Sequence, residues 1–425
     1  MKHSLQETAS SPMPQTVPLR RQRDYRLLLS ARITSETGGA ISLLAVPLTA
    51  AALLGASPAE MGALTAAASL PFLMFGLQAG AIADRLSRHR PVMIACEAAS
   101  ALAMATIPFA WGIGVLTVPW LIATAFVVGT ATVIFRAASF PHLTVVVPEN
   151  QRTEALAGMH SVYSLASVCG PGLAGLLVQL FTAPFAILFD AVSFLVSAFL
   201  IKGIRAPENH TPPPPRGMWT EIHEGLRAVT GNPALRALCG CGAITNFFAA
   251  AYNAVFMIYA LTELRLPAGL IGVLFACFGV GGLAGAAAAP RLAGRFGENR
   301  VLACATLFFP LNYVIAATAA PEALWATSLL LAVSGLVTGM AILSFAVCFS
   351  AVVLRETPAE LRGRVNATNT FTVQGVLTLG GLAGGLLGEL LGLRPVLWIG
   401  AAGVALTIPW IWLSPLGRAR APRGR

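Results

Sequence analysis

Apolar residues run along this chain in long blocks, with short polar stretches between them. Twelve blocks stand out, at roughly 25–52, 58–82, 91–111, 115–138, 158–180, 184–202, 236–262, 268–290, 300–319, 323–353, 365–391 and 395–413. Each is close to the roughly 20 residues with which a helix crosses a bilayer. Backbone polar groups in lipid must be paired within their own segment, so each block is expected to be a helix. The predicted class is an all-α membrane protein of twelve transmembrane helices.

Composition strengthens this picture. Of 425 residues, 56% are hydrophobic and 11% are charged, against about 25% charged in a soluble domain. The 41 glycines suit helices that must approach closely where lipid gives no hydrophobic force between them.

Charge adds orientation. The net charge of +10 does not mark a nucleic-acid binder, because the basic residues fall in short clusters between apolar blocks. One set of segments holds Arg20 to Arg26, Arg85 to Arg90, Arg152, Lys202 to Arg236, Arg291 to Arg300, Arg355 to Arg364 and Arg418 to Arg425. The alternate segments hold only Arg265 and Arg394. By the positive-inside rule, both termini and the central loop are expected in the cytoplasm of a bacterial-type inner membrane. The expected domains are a tail at 1–24, a six-helix bundle at 25–202, a linker at 203–235, a second bundle at 236–414 and a basic tail at 415–425. The linker opens with the stiff run Pro212 to Pro215. An amphipathic stretch follows, with Trp219, Ile222, Leu226 and Val229 on one face.

The halves repeat. Arg152 after Pro148 returns as Arg362 after Pro358, an offset of 210. At the same offset Gly170-Pro171-Gly172-Leu173-Ala174-Gly175 faces Gly380-Gly381-Leu382-Ala383-Gly384-Gly385. Six helices followed by six in the same orientation form a parallel repeat, as in transporters that bind substrate between two halves.

Gly80-Ala81-Ile82-Ala83-Asp84-Arg85-Leu86-Ser87-Arg88-His89-Arg90 resembles the loop 2–3 signature of the major facilitator superfamily. Gly170-Pro171-Gly172 resembles the Gly-Pro motif of its drug/proton antiporters. Thr357-Pro358-Ala359-Glu360-Leu361-Arg362-Gly363-Arg364 and Asp190-Ala191-Val192-Ser193-Phe194 resemble the branch holding enterobactin exporters and macrolide efflux proteins. The likeness runs from about Arg23 to Pro415. It implies the major facilitator fold, two six-helix bundles, and efflux of small molecules by alternating access. The second copy of the loop signature has Pro290 in place of Asp84, so any charge-relay gate belongs to the first half.

The resemblance also assigns candidate roles. Gly80, Asp84, Arg85, Arg88, Glu97, Arg136, Arg152, Arg362, Gly170 and Pro171 are the gating or conformational candidates, with Asp84 expected to pair with Arg136 or a helix terminus. Substrate or coupling candidates are Glu36, Arg32, Asn246, Tyr252, Asn253, Ser334 and Thr338, on the helices that line the cavity in this family. Glu36 is an acid inside the first span and suits either proton carriage or a cationic substrate. Arg32, one turn earlier, is equally placed to neutralise it. Asp190 is expected to be structural, and the serines, threonines and asparagines also serve to bind helices together.

Enzyme signatures are missing: no phosphate loop, no nucleophile elbow, no Cys/His metal cluster. The seven cysteines lie in apolar blocks and are read as small packing residues. No cofactor is expected. The expected partners are a small-molecule substrate, protons and the lipid bilayer, around a monomer. The leading function is proton-coupled export of amphipathic, drug- or macrolide-like molecules. A dedicated siderophore or natural-product exporter, and a non-transporting sensor or scaffold, are the alternatives.

Overall fold

The computed structural model describes residues 18–83, 88–208, 226–321, 324–358 and 361–418, and the secondary structure among them is helical. The long helices are α1 (Arg23–Leu48), α2 (Pro58–Ala83), α3 (Arg90–Gly112), α4 (Val118–Val146), α5 (Arg152–Phe181) and α6 (Ala183–Lys202), followed by α7 (Pro233–Thr262), α8 (Ala268–Phe296), α9 (Glu298–Thr318), α10 (Leu324–Glu356), α11 (Arg362–Leu391) and α12 (Leu393–Trp412). Among the described residues, eleven helices are long and apolar enough to cross a membrane. The remaining one, α5, has 30 residues, ample for a ~30 Å hydrocarbon core.

Helix starts follow local chemistry. Ser57 and Glu60 form a reciprocal capping box at α2: the Ser57 N–H donates to Glu60 Oε2 at 2.8 Å, and the Glu60 N–H donates to Ser57 Oγ at 3.2 Å. Asn232 Oδ1 accepts from the Ala234 N–H at 2.9 Å to open α7. Prolines fill the first turns of α3, α4, α6 and α7, where no amide donor is needed.

The helices overrun the apolar blocks. α4 continues to Val146 and α5 begins at Arg152, so the polar ends of both helices stand outside the lipid-facing run. Two spans are also broken. α9 stops at Thr306 and restarts at Leu311, where Pro310 cannot donate a backbone hydrogen bond. α12 breaks at Leu406, three residues before Pro409.

α1 packs on α5 and α6, α3 on α4 and α6, and α2 on α4. The second half repeats this with α7 on α11 and α12, α9 on α10 and α12, and α8 on α10. Between halves, α2 meets α11 and α5 meets α8, which are equivalent pairings under the repeat. The equivalence reaches the turns. After α1, Gly55 has φ of 61°, and 210 positions later Arg265 has φ of 52°. The flanking bonds repeat as well: Ala56 N–H donates to Ala50 O at 3.0 Å, and Leu266 N–H to Ala260 O at 2.9 Å. Thr182 (φ 74°) and Gly392 (φ 89°) form the matching corner before each half's last helix. A left-handed threonine is costly, so this corner is imposed by the fold.

Large apolar side chains such as Phe109, Phe199 and Trp325 remain exposed, as expected of surfaces that face lipid. Trp410 and Trp412 turn their indole N–H groups onto the Ala237 and Ala303 carbonyls at 2.9 and 3.0 Å. They tie α12 to α7 and α9 near the end that carries the chain termini. In the linker, Trp219 and Ile222 lie outside the described residues. Val229 is buried against Leu235, Cys239 and Val365, docking the linker on the second half.

Candidate functional site

The charged groups of the first half meet in its terminal third. Arg32 and Glu36 form an ion pair at 2.7 Å, both mostly shielded. The Arg32 guanidinium also lies over the Phe135 ring of α4, 5.6 Å from its centroid, a cation–π contact. Ser35, between them on α1, donates a long 3.4 Å hydrogen bond to Glu97 Oε1 on α3. Glu97 is only 3% exposed. Arg136, exposed on α4, sits over Phe72 of α2 at 5.6 Å, near enough to Arg32 for their charges to interact. Glu36 is thus a paired acid, and Glu97 is the more deeply buried one.

The second half contributes differently. Asn253 is exposed on α7. Asn246, seven residues earlier on the same face, donates to the Gly242 carbonyl of its own helix at 2.8 Å. Tyr252 is buried in an aromatic stack, 5.0 Å from Phe256 and 4.5 Å from Tyr313 between ring centroids. Ser334 and Thr338 are buried and occupied. Thr338 donates to the Phe308 carbonyl at 3.1 Å and Ser334 to Asn312 Oδ1 at 3.0 Å. They bind α10 to the break in α9, where carbonyls released from helical pairing need donors. Of these five side chains, the exposed one is Asn253.

The halves close on each other away from the termini. Ser69 of α2 and Thr378 of α11 share a buried 2.9 Å hydrogen bond. Beside it the backbones touch: a Cβ on Gly385 would lie 2.7 Å from the Gly62 Cα, and a Cβ on Gly175 would lie 2.7 Å from the Gly272 Cα. Gly62 and Gly272 are themselves 210 positions apart, as are Gly175 and Gly385. One glycine-on-glycine contact therefore occurs twice, once on each side of the molecule. The stretch from Pro58 to Leu73 lies along the stretch from Gly388 back to Gly375.

Other polar ties fasten the terminal end within each half. The Glu208 carboxylate accepts from the Arg90 N–H at 3.0 Å, at the start of α3, and meets His142 Nδ1 at 2.5 Å. Arg90 donates in turn to the Ile204 carbonyl. His142 is buried, a role that its place in the sequence did not signal. Arg152 donates to Thr144 O at 3.1 Å, and Arg355 pairs with Glu298. Of the gating candidates, Gly80 lies in the last turn of α2, Pro171 lies in α5, Arg362 opens α11 and Arg88 is exposed. Gly170 packs on Ala40 of α1. Asp84 and Arg85 lie outside the described residues.

The family described as transmembrane secretion effector matches residues 14–421. The chain is 26% identical over 402 residues to the multidrug efflux pump Tap of Mycolicibacterium fortuitum, across 91% of this chain and 93% of Tap. It is 27% identical to the uncharacterized transporter YfiS of Bacillus subtilis (strain 168), across 51% of each. To macrolide efflux protein A of Streptococcus pyogenes it is 22% identical, across 49% of this chain and 56% of that protein. These two matches span about half the length of each relative. Among solved structures, the nucleoside transporter NupG superposes with a TM-score of 0.72 at 13% identity, covering 95% of this chain and all of NupG's.

Proposed function

Because the chain belongs to the transmembrane secretion effector family of the major facilitator superfamily, a family of multi-pass membrane transporters, we propose that it exports amphipathic small molecules in exchange for protons by alternating access. The observation that carries this reading is the closure of the halves along α2–α11 and α5–α8, away from the termini. Glycine contacts, the Ser69–Thr378 hydroxyl pair and a long bond from the Ala59 N–H to Glu389 Oε2 at 3.5 Å lie along that seam, contacts that can part without unfolding either half. A bistable contact of this kind is what alternating access requires.

Orientation follows from the basic clusters. Both termini face the cytoplasm of the bacterial inner membrane, the closed seam is the outer gate, and the open side faces inward. In this reading residues 25–202 and 236–414 are the two moving bundles of a single working chain. Substrate enters between them, near Glu36 on α1 and Asn253 on α7. The cavity wall carries few fixed charges, and the Arg32–Glu36 pair largely cancels itself. Lipophilic or weakly polar molecules therefore suit it better than sugars or phosphates. Tap and macrolide efflux protein A, by name pumps for several drugs and for macrolides, support the same direction.

Cells producing the protein are expected to retain less ethidium than cells without it, and a proton ionophore is expected to remove the difference. Equal retention in both strains across a panel of lipophilic compounds would refute drug efflux.

A further inference from the structure

Two carboxyls of the first half lie off the central space, sealed between α1, α3 and α6. Glu97 is 3% and Asp190 0% exposed. Ser35 of α1 and Ser197 of α6 lie beside Glu97, and Ser42 of α1 and Ser193 of α6 lie beside Asp190. Positions 35, 38 and 42 share one face of α1, and 190, 193 and 197 share one face of α6. Gly38 keeps the two faces together, since a Cβ there would overlap Ser193 Oγ and Asp190 Oδ1. Ser193 donates to Asp190 Oδ1 at 3.2 Å, and Ser35 to Glu97 Oε1. Four buried atoms of this seam remain without a hydrogen-bond partner: Glu97 Oε2, Asp190 Oδ2, Ser42 Oγ and Ser197 Oγ. Ser197 sits beside Glu97 and Ser42 beside Asp190. Each carboxyl oxygen without a partner thus has an unpartnered hydroxyl near it, and the pair is completed whether the serine donates to a carboxylate or a carboxylic O–H donates to the serine, so the site holds the carboxyl in either protonation state.

The charged surroundings are lopsided. Glu97 faces Arg32 from α1 and Asp190 from α6. Arg32 in turn feels Glu36 and, from α4, Arg136. The side chains beside Asp190 are the Ser42 and Ser193 hydroxyls.

We propose that Glu97 and Asp190, joined by the four serines, hold and pass the transported proton, and that Arg32 changes partner between Glu36 and Glu97 as that proton comes and goes. This rests on the proton-coupled reading above. When Glu97 is protonated, Arg32 stays on Glu36, as observed. When the carboxyl O–H breaks, its electron pair stays on Oε2 and the proton leaves to water on the terminal side. Arg32 then turns to the new carboxylate and frees Glu36 for a cationic group of the substrate. The next proton enters at Asp190 and moves to Glu97 through the hydroxyls. In this scheme Glu97 carries the proton, while Glu36 acts as a substrate contact.

The test uses the full chain in liposomes, with ethidium as the transported probe, and the variants E97Q, D190N, E36Q and E97D. Flux is measured with and without a proton gradient. The infrared stretch of protonated carboxyls is recorded from acid to alkaline pH. E97Q and D190N are expected to lose gradient-driven accumulation and part of the titrating carboxyl signal; D190N still equilibrates ethidium downhill, while E97Q, in which Arg32 stays on Glu36, does so more slowly. E36Q is expected to keep the titrating carboxyl signal but to raise the ethidium concentration needed for half-maximal flux, because Glu36 is the substrate contact in this scheme. Should E97Q fail to insert, E97D moves the pH midpoint of flux if Glu97 carries the proton and leaves it in place if Glu97 is only a packing group. Full coupling in E97Q, or an unchanged carboxyl signal in both E97Q and D190N, overturns the proposal and leaves coupled export standing. If the unaltered protein ignores the gradient, coupled export itself fails. The proposal then falls with it, because no transported proton remains for the two carboxyls to carry.

Discussion

Gly385→Leu is expected to cut ethidium export about tenfold or more with little change in the amount of inserted protein. Gly385 leaves no room for a side chain, because a Cβ would lie 2.6 Å from the Pro58 carbonyl oxygen and 2.7 Å from the Gly62 Cα. Both obstacles are backbone, so neither can turn aside. The strain is relieved only by moving α2 and α11 apart. Overpacking of this kind costs about 1–3 kcal/mol, and every 1.4 kcal/mol or so is a tenfold shift between two states. The shift falls on the closed contact between the halves, the outer gate of the proposed cycle, since α2 and α11 belong to different halves and each half keeps its internal packing. Gly175→Leu, against Gly272 on the other side, is expected to act alike. Gly76→Ala is the control, because a Cβ there meets nothing within 4 Å. Comparing export rate with membrane abundance checks this. Normal export by the Gly385 variant shows that the seam bears no part in the cycle.

Arg32→Ala is expected to lower both export and thermal stability, and adding Glu36→Ala is expected to restore stability alone. The pair is 2.7 Å apart, with side-chain exposures of 18% and 17%. Removing one member of a shielded pair strands the other charge, at a cost of up to about 3–5 kcal/mol when burial is complete. Partial exposure lowers that figure here. Removing both partners takes the stranded charge away as well. Export stays low in the double variant because Arg32 also balances Glu97. Arg32→Lys is expected to rescue stability more than transport, since an ammonium cannot stack on an aromatic ring as a guanidinium can. Thermal midpoints and export rates for the three variants separate the effects. Recovery of full export in the double variant places the pair outside the transport cycle.

The spans and the parallel repeat were legible in the sequence because both depend on local chemistry. Apolar blocks give the helices, and glycine and arginine positions give the offset of 210. The breaks at Thr306 and Leu406 were not, since a proline in an apolar block kinks one helix and splits another. Ser334 and Thr338 show the limit for sites. Their hydroxyls suggest substrate contacts, but the carbonyl that takes up Thr338 belongs to a break in another helix. Asn246 is spent in the same way on its own helix. Glu97 and Asp190 are 93 positions apart, and nothing local signals that α1, α3 and α6 bring them into one seam. The Gly62–Gly385 contact was half visible. The repeat pointed to Gly175 and Gly385, while their partners Gly62 and Gly272 sit in blocks with no shared motif.

Alternating access through the outer seam is tested most directly by a cross-link at Ser69 and Thr378, whose hydroxyl oxygens are 2.9 Å apart. With the seven native cysteines replaced, Ser69→Cys and Thr378→Cys place two thiols within disulfide reach. Oxidation is expected to stop ethidium export in liposomes, and reduction to restore it in the same sample. Undiminished export by the fully cross-linked protein would contradict the account.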